Sequence, residues 1–191
     1  MFDLGGVVIN FNNSGYYKYL SEVSGFDKEK IAKIIENKYL QEFEKGKISI
    51  DFFEKQISKE LKIKRSAVKW RAFYEQTVKF NYDVVELIQE LHKEFIISFL
   101  SNIDKVRYNY TKKILDLNLF DFRFVSCNMG IRKPNLLIYK EVLNILKVMP
   151  EEAVFIDDRI ENVLSAKSLG INAIQFKNRR DLDIKLSKII E

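Results

Sequence analysis

An α/β fold, a Rossmann-like parallel sheet flanked by helices with a helical cap inserted after the first strand, follows from two features of the sequence. The second half alternates short apolar runs with segments of helical spacing, the pattern of strand–helix–strand units whose crossovers leave the strands parallel. The stretch after the first apolar run instead shows helical spacing with no strand in it, so it interrupts the sheet rather than extending it.

Met1 to Ile9 is apolar enough for a buried first strand, although only Met1 and Phe2 precede Asp3, a short run for the centre of a sheet. Residues 12–82 then place apolar side chains at helical intervals: Tyr16, Tyr19, Leu20 and Val23; Ile31, Ile34, Ile35 and Tyr39; Phe52, Phe53, Ile57 and Leu61. Gly25 and Gly46 mark turns, and Ser49 ahead of Asp51 opens a helix with an acid in its first turn. Aromatic residues crowd this segment, among them Tyr16, Phe43, Trp70 and Tyr74; at this spacing they fill a bundle core, with one or two left to face a cleft. The sheet resumes beyond residue 83 with strands at Phe95 to Leu100, Arg123 to Cys127, Ala153 to Ile156 and Asn172 to Phe176. Between them lie helices at Lys105 to Leu117, Asn135 to Leu146 and Glu161 to Leu169, the last closed by Gly170. The expected organisation is a core of residues 1–11 and 83–191 carrying a cap of residues 12–82.

Composition narrows the chemistry. With 47% hydrophobic and 31% charged residues, the 191-residue chain is no disordered polymer; a chain of this size buries roughly 70% of its unfolded surface. One cysteine, Cys127, and one histidine, His92, exclude disulfide frameworks and Cys/His zinc clusters. They also exclude any nucleophile–histidine device not built on His92. Cys127 reads as a buried strand residue and His92 as a helix-end residue. The 32 Lys+Arg and 27 Asp+Glu give a net charge of +5, but the two signs are interleaved and no basic run forms. Nucleic acid is therefore not an expected partner. The apolar runs are too short to cross a bilayer, and residues 1–20 lack a basic start and long apolar centre, so a cytoplasmic setting is expected.

Four polar spots fall at the carboxyl ends of the strands, where parallel sheets bind their ligands. They are Asp3 in Phe-Asp-Leu-Gly-Gly-Val, Ser101-Asn102 in Phe-Leu-Ser-Asn-Ile-Asp, Lys133 in Gly-Ile-Arg-Lys-Pro-Asn, and Asp157-Asp158 in Phe-Ile-Asp-Asp-Arg-Ile-Glu-Asn. Each alone is commonplace; their order, with a helical insertion after the first, is not. On these phrases, on the Leu-Gly-Ile-Asn-Ala-Ile-Gln-Phe ending and on Phe43 to Ser49 within the insertion, the sequence resembles the haloacid dehalogenase-like hydrolase superfamily. Within it the likeness is strongest to the branch of soluble epoxide hydrolase N-terminal phosphatase domains and α-glucose-1-phosphate phosphatases.

The resemblance implies an Mg²⁺-dependent hydrolase of small phosphorylated metabolites that works through an aspartyl-phosphate. It implies Asp3 as nucleophile, Gly5 as a carbonyl ligand to the metal, Asp158 as the principal acidic ligand and Asp157 adjoining or supporting it. Physical chemistry agrees with those residue types, because an anionic phosphoryl group repels a carboxylate until a cation neutralises both. Ser101 and the amide of Asn102 would bind phosphoryl oxygens while Lys133 offsets charge, a preorganised arrangement in which one lost donor costs about 3 to 4 kcal/mol. Without metal, Asp3, Asp157 and Asp158 would repel one another and favour protonation. Asn162 either orients the Asp157-Asp158 loop or caps a turn, and Arg159 faces either substrate or solvent.

One departure from the pattern bears on the chemistry. The position two after the nucleophile, an Asp acid/base in most phosphatases of the superfamily, is Gly5. General acid catalysis contributes roughly 10² to 10⁴ in rate, so substrates with good leaving groups, such as sugar 1-phosphates, are expected to be favoured. Gly5 also leaves room for a catalytically silent protein that binds a phosphorylated ligand or partner. Metal-free dehalogenation is disfavoured, because a reaction of that kind gains nothing from paired carboxylates.

Overall fold

The computed structural model describes residues 1–36 and 38–190. In chain order the elements are β1 (Ile9–Asn10), α1 (Asn13–Ser24), α2 (Lys28–Ile35), α3 (Lys38–Glu44), α4 (Ile50–Glu60), α5 (Trp70–Thr77) and β2 (Lys79–Phe80). Then come α6 (Tyr82–Leu91), β3 (Ser98–Ser101), α7 (Lys105–Ile114), β4 (Phe122–Val125), α8 (Ser126–Met129) and α9 (Leu136–Leu146). The chain finishes with β5 (Val154–Asp157), α10 (Ile160–Lys167), β6 (Asn172–Gln175) and α11 (Arg179–Ile190).

The sheet is parallel, with Phe2 at its middle. Phe2 bridges Phe99 of β3 on one side and Ile156 of β5 on the other, while β4 pairs outward from β3 and β6 outward from β5, all parallel. Its N–H donates to Ser98 O at 2.9 Å and its carbonyl accepts from Leu100 N–H at 2.9 Å. Asp3 N–H donates to Ile156 O at 2.8 Å. One residue with neighbours on both sides thus carries Asp3 to the carboxyl ends of the strands, where ligands of parallel sheets bind. Phe2, Phe99 and Ile156 share a buried apolar cluster with Val84 and Ile88 of α6 and Leu182 and Leu186 of α11. The other face packs Phe155 against Tyr139 of α9 and Val163 of α10.

Helices α1 to α5 enclose an apolar cluster of their own around Leu20, Ile31, Phe53, Ile57 and Trp70. Rings do much of the filling: Phe43 stacks on Phe53 at 4.8 Å, and Trp70 meets Phe53 and Tyr16 edge-on at 5.0 and 5.5 Å. Ser49 caps α4, its hydroxyl accepting from Phe52 N–H at 3.2 Å, and Gly25 closes α1 at φ 75°, both as the sequence leads one to expect. The chain enters and leaves this helical layer through a two-residue antiparallel ribbon, Ile9 opposite Phe80 and Asn10 opposite Lys79.

Several expectations need correction. Met1 to Ile9 is not one strand. After Asp3 the chain curls, with the Leu4 carbonyl accepting from the N–H groups of Val8 and Ile9 and Gly6 at φ +78°. The apolar run reads as a strand because Leu4, Val7, Val8 and Ile9 are all buried, but they are buried by a turn. The insertion is not free of strands, since β2 lies within residues 12–82. Phe95 and Ile96 precede β3 and are exposed. Cys127 lies in α8, partly exposed, not in β4. Burial raises its thiol to about 11. Helices α6 and α11 were absent from the sequence reading.

Candidate active site

The tight turn after Phe2 holds Asp3 at the floor of a cavity of about 450 Å³, which Ser101, Asn102, Lys133, Asp158 and Asn162 also line. Asp3 is nearly buried. Its Oδ1 accepts from Leu4 N–H at 2.7 Å and pairs with Lys133 Nζ at 3.0 Å. Ser101 ends β3 and Asp157 ends β5, so strand geometry alone sets them beside Asp3. Lys133 is different: it arrives from the segment between α8 and α9, not from a strand end.

Lys133 is fully buried and uses all three donors of its ammonium. Nζ donates to Leu100 O at 2.7 Å and Asp157 Oδ2 at 2.6 Å, besides Asp3. Its backbone is clamped as well, for the Asn102 side-chain amide donates to Lys133 O and accepts from Lys133 N–H, both at 2.9 Å. The Asn102 side chain is therefore committed to holding Lys133, which leaves its backbone N–H as the group for a ligand.

Asp157, also fully buried, has both oxygens engaged. Oδ1 accepts from Arg159 N–H at 2.9 Å, Oδ2 from Lys133, and Asn162 Nδ2 sits 3.0 Å from each. Of the two roles left open for Asn162, the geometry favours orienting this loop. Asp158 turns the other way, towards Gly6: a Cβ there would stand 2.3 Å from Asp158 Oδ2. Gly5 lines the same cavity. Oxygens of Asp3, Asp157 and Asp158 lie within 4.8 Å of one another. Burial, opposed by Lys133 and reinforced by Asp157, pushes Asp3 up to about 7. Burial and Asp157 also raise Asp158. Burial is the larger cause for both, the neighbouring carboxylate adds to it, and Lys133 opposes it.

Arg159 borders the cavity and donates to Glu161 at 2.7 Å. The wall opposite the acids is one the sequence reading missed: Tyr17, Glu36 and Gln41 from the helical layer, with Glu44, Arg107 and Arg132 beside them. Glu44 and Arg132 lay inside phrases that carried the family resemblance, but only pairing in space marks them. Spacing along the chain does not bring residues 44, 107 and 132 together.

The family model of haloacid dehalogenase-like hydrolases matches residues 1–170. The chain is a haloacid dehalogenase-like hydrolase. The resemblance carried by the Leu-Gly-Gly, Leu-Ser-Asn, Arg-Lys-Pro and Asp-Asp phrases therefore holds. This hydrolase is 26% identical over 195 residues to the sesquiterpene phosphatase astK of Aspergillus oryzae, covering 100% of this chain and 95% of that one. It is 25% identical over 202 residues to the D-ribitol-5-phosphate phosphatase of Bacteroides thetaiotaomicron, covering 100% and 97%. Its fold matches that of a HAD-family enzyme of Bacteroides thetaiotaomicron, solved in complex with magnesium and inorganic phosphate, with a TM-score of 0.77 at 22% identity over 92% of each chain. No helix among the described residues is long and apolar enough to cross a membrane.

Proposed function

We propose that this hydrolase is an Mg²⁺-dependent phosphatase that cleaves small phosphomonoesters through an aspartyl-phosphate on Asp3. The observation that carries the reading is the Asp3 carboxylate, held by Leu4 N–H and Lys133 at the floor of a polar cavity with two further carboxylates within 4.8 Å. Phosphatases among the relatives and a fold neighbour solved with magnesium and phosphate support it.

The donor set fits a hard divalent cation, because it offers carboxylate oxygens and a backbone carbonyl and no sulfur or imidazole. Asp3, Asp158 and the Gly5 carbonyl would hold the ion. Asp157, its oxygens already occupied, supports Lys133 and the loop that carries Asp158. When bound, Mg²⁺ neutralises charge that would keep a carboxylate and a phosphoryl group apart. Lys133 and the Leu4 N–H fix the rotation of the Asp3 carboxylate, and the Ser101 hydroxyl and Asn102 N–H receive phosphoryl oxygens. An Asp3 oxygen forms a bond to phosphorus as the bond to the leaving oxygen breaks; that oxygen takes its proton from water, since Gly5 supplies none. A second water then attacks phosphorus, giving a proton to the hydroxide left by the first, and phosphate departs as the bond to the Asp3 oxygen breaks. Residues 12–82, on this reading, form the cap that closes over the bound ester and excludes water.

The test is release of p-nitrophenol from p-nitrophenyl phosphate. Turnover is expected with Mg²⁺, is lost on chelation and falls at least about 10³-fold in Asp3→Asn, the scale on which triad members and oxyanion donors act elsewhere. Hydrolysis that survives either change overturns the reading. Binding of phosphate esters without any turnover would instead favour a silent phospholigand-binding protein, the reading that Gly5 keeps open. Across substituted phenyl phosphates, kcat/KM is expected to fall steeply as leaving-group pKa rises. A flat profile would mean that a proton donor other than residue 5 serves the leaving oxygen.

A further inference from the structure

Glu44 ends α3, and three residues there do three different things. Phe43 packs into the aromatic cluster against Phe53. Gly46, at φ +69°, lets the chain turn so tightly against α8 that a Cβ would stand 2.3 Å from the Cys127 carbonyl. Glu44, between them, points the other way into the cavity wall. Its Oε1 accepts from Arg107 Nη2 at 3.0 Å and its Oε2 from Arg132 Nε at 3.0 Å. Its own carbonyl accepts from Ser126 Oγ at 2.6 Å. Arg107 is further paired with Asp104, which also accepts from Trp70 Nε1 at 3.2 Å. Glu44, Asp104 and Arg107 side chains are each no more than 8% exposed, and Arg132 is 20% exposed. Two cations and two anions form a neutral, almost dry cluster.

Both guanidiniums line the substrate cavity. The other cations among the described lining residues are paired as well, Lys133 in the buried interior with Asp3 and Asp157, and Arg159 with Glu161 in a pair that stays about half exposed. Once the phosphoryl group occupies the Asp3 end, the rest of the cavity therefore presents paired cations, amides, hydroxyls and the carboxylate of Glu36. A leaving group with hydroxyls finds partners there. Among the described residues a second phosphate or a carboxylate finds no unpaired buried cation and meets the carboxylate of Glu36, the repulsive element by which sites reject a wrong ligand.

We propose that Glu44 is a specificity-determining residue: by neutralising Arg107 and Arg132 it reserves the cavity for phosphomonoesters whose leaving group carries no second anion. This rests on the phosphatase reading for its substrates and makes a prediction that the reading alone does not. Glu44→Gln keeps size and hydrogen-bonding capacity while removing the charge, and so unmasks Arg132 at the wall.

The experiment has two arms. In the first, kcat/KM with Mg²⁺ is measured on glucose 1-phosphate and glucose 1,6-bisphosphate. The wild-type chain is expected to favour the former by about tenfold or more, the like-charge penalty on the second anion, and Glu44→Gln to erase that preference. In the second, Trp70, the chain's one tryptophan, reports binding of methylphosphonate and phosphonoacetate, which differ by a carboxylate and are not hydrolysed. Glu44→Gln is expected to shift preference towards phosphonoacetate about tenfold, and adding Arg132→Gln to cancel the shift. Should Glu44→Gln fail to fold, Arg132→Gln alone leaves a surplus carboxylate and is expected to shift preference the opposite way. Equal losses on both ligands, as a merely structural role would give, overturn the proposal, as does a wild-type chain indifferent to the second anion. Absence of turnover with the binding shift intact would fell the phosphatase reading and leave this inference standing. Failure of methylphosphonate to bind, together with no turnover of glucose 1-phosphate, overturns both.

Discussion

At the scale of single residues, the site depends on positions where a side chain would be in the way. Gly6 is the sharpest. Its φ of +78° is unfavourable for any residue with a Cβ, and that Cβ would lie 2.3 Å from Asp158 Oδ2. Gly6→Ala is expected to lose about 1 to 2 kcal/mol from the backbone alone. It also displaces Asp158, so the Mg²⁺ concentration needed for half-maximal activity rises as well. Thermal melting and a Mg²⁺ titration check the two effects separately; a variant with wild-type Mg²⁺ dependence would show that Asp158 can move aside at no cost. Asp3, Ser101, Lys133, Asp157 and Asp158 were legible in the sequence because each sits in a short run whose order along the chain is itself informative. The Asn102 clamp on Lys133 was not, because which of its groups faces the backbone depends on a segment thirty-one residues away.

Elements were legible where periodicity and capping agreed. Ser49, Gly25 and Gly170 punctuate α4, α1 and α10 as their chemistry demands. They were illegible where an apolar run was buried by something other than a strand, as in Leu4 to Ile9, and where a helix had few local signals, as in α11. One contact across elements gives a test. Asp121, just before β4, accepts from the N–H of Ile97 at 2.8 Å, just ahead of β3, and meets His92 at the end of α6 at 3.1 Å. The Ile97 N–H first, then His92, lowers the Asp121 carboxyl below its ordinary 3.8. A depressed carboxyl contributes stability above its unfolded-state value and loses it as pH falls through the lowered folded value. Asp121→Asn is therefore expected to melt below the wild type at pH 7, by a small margin because the site is exposed, and the gap should close below pH 3.8. A gap that is constant with pH would mean the ion is irrelevant and only the hydrogen bond counts.

For the whole molecule, the relation between cavity and helical layer sets what can be processed. On the proposed phosphatase reading, a space of about 450 Å³ bordered by Asn10, Asn13, Glu36 and Gln41 would suit short, hydroxylated esters, because an apolar chain would cover polar groups without offering them partners. Ribitol 5-phosphate is expected to exceed farnesyl phosphate in kcat/KM by about tenfold or more. The reverse order, measured by phosphate release, would show that Phe11, Leu40 and Trp70 govern the pocket instead. The sequence announced the helical layer through its spacing, but it held no statement of which side chains turn inward. That depends on how α1 to α5 dock, which long-range contacts decide.

The narrow ribbon of Ile9 and Asn10 against Phe80 and Lys79 has a consequence for how such a molecule changes over time. Entry and exit of the inserted helices lie side by side, so a foreign insert with adjacent ends could be grafted there without stretching the sheet. On the proposed reading, the groups that would touch phosphorus stay on one side of that junction, while Tyr17, Glu36, Gln41 and Glu44 of the cavity wall lie on the other. On that reading, replacing the insert would change recognition while leaving the reacting groups in place.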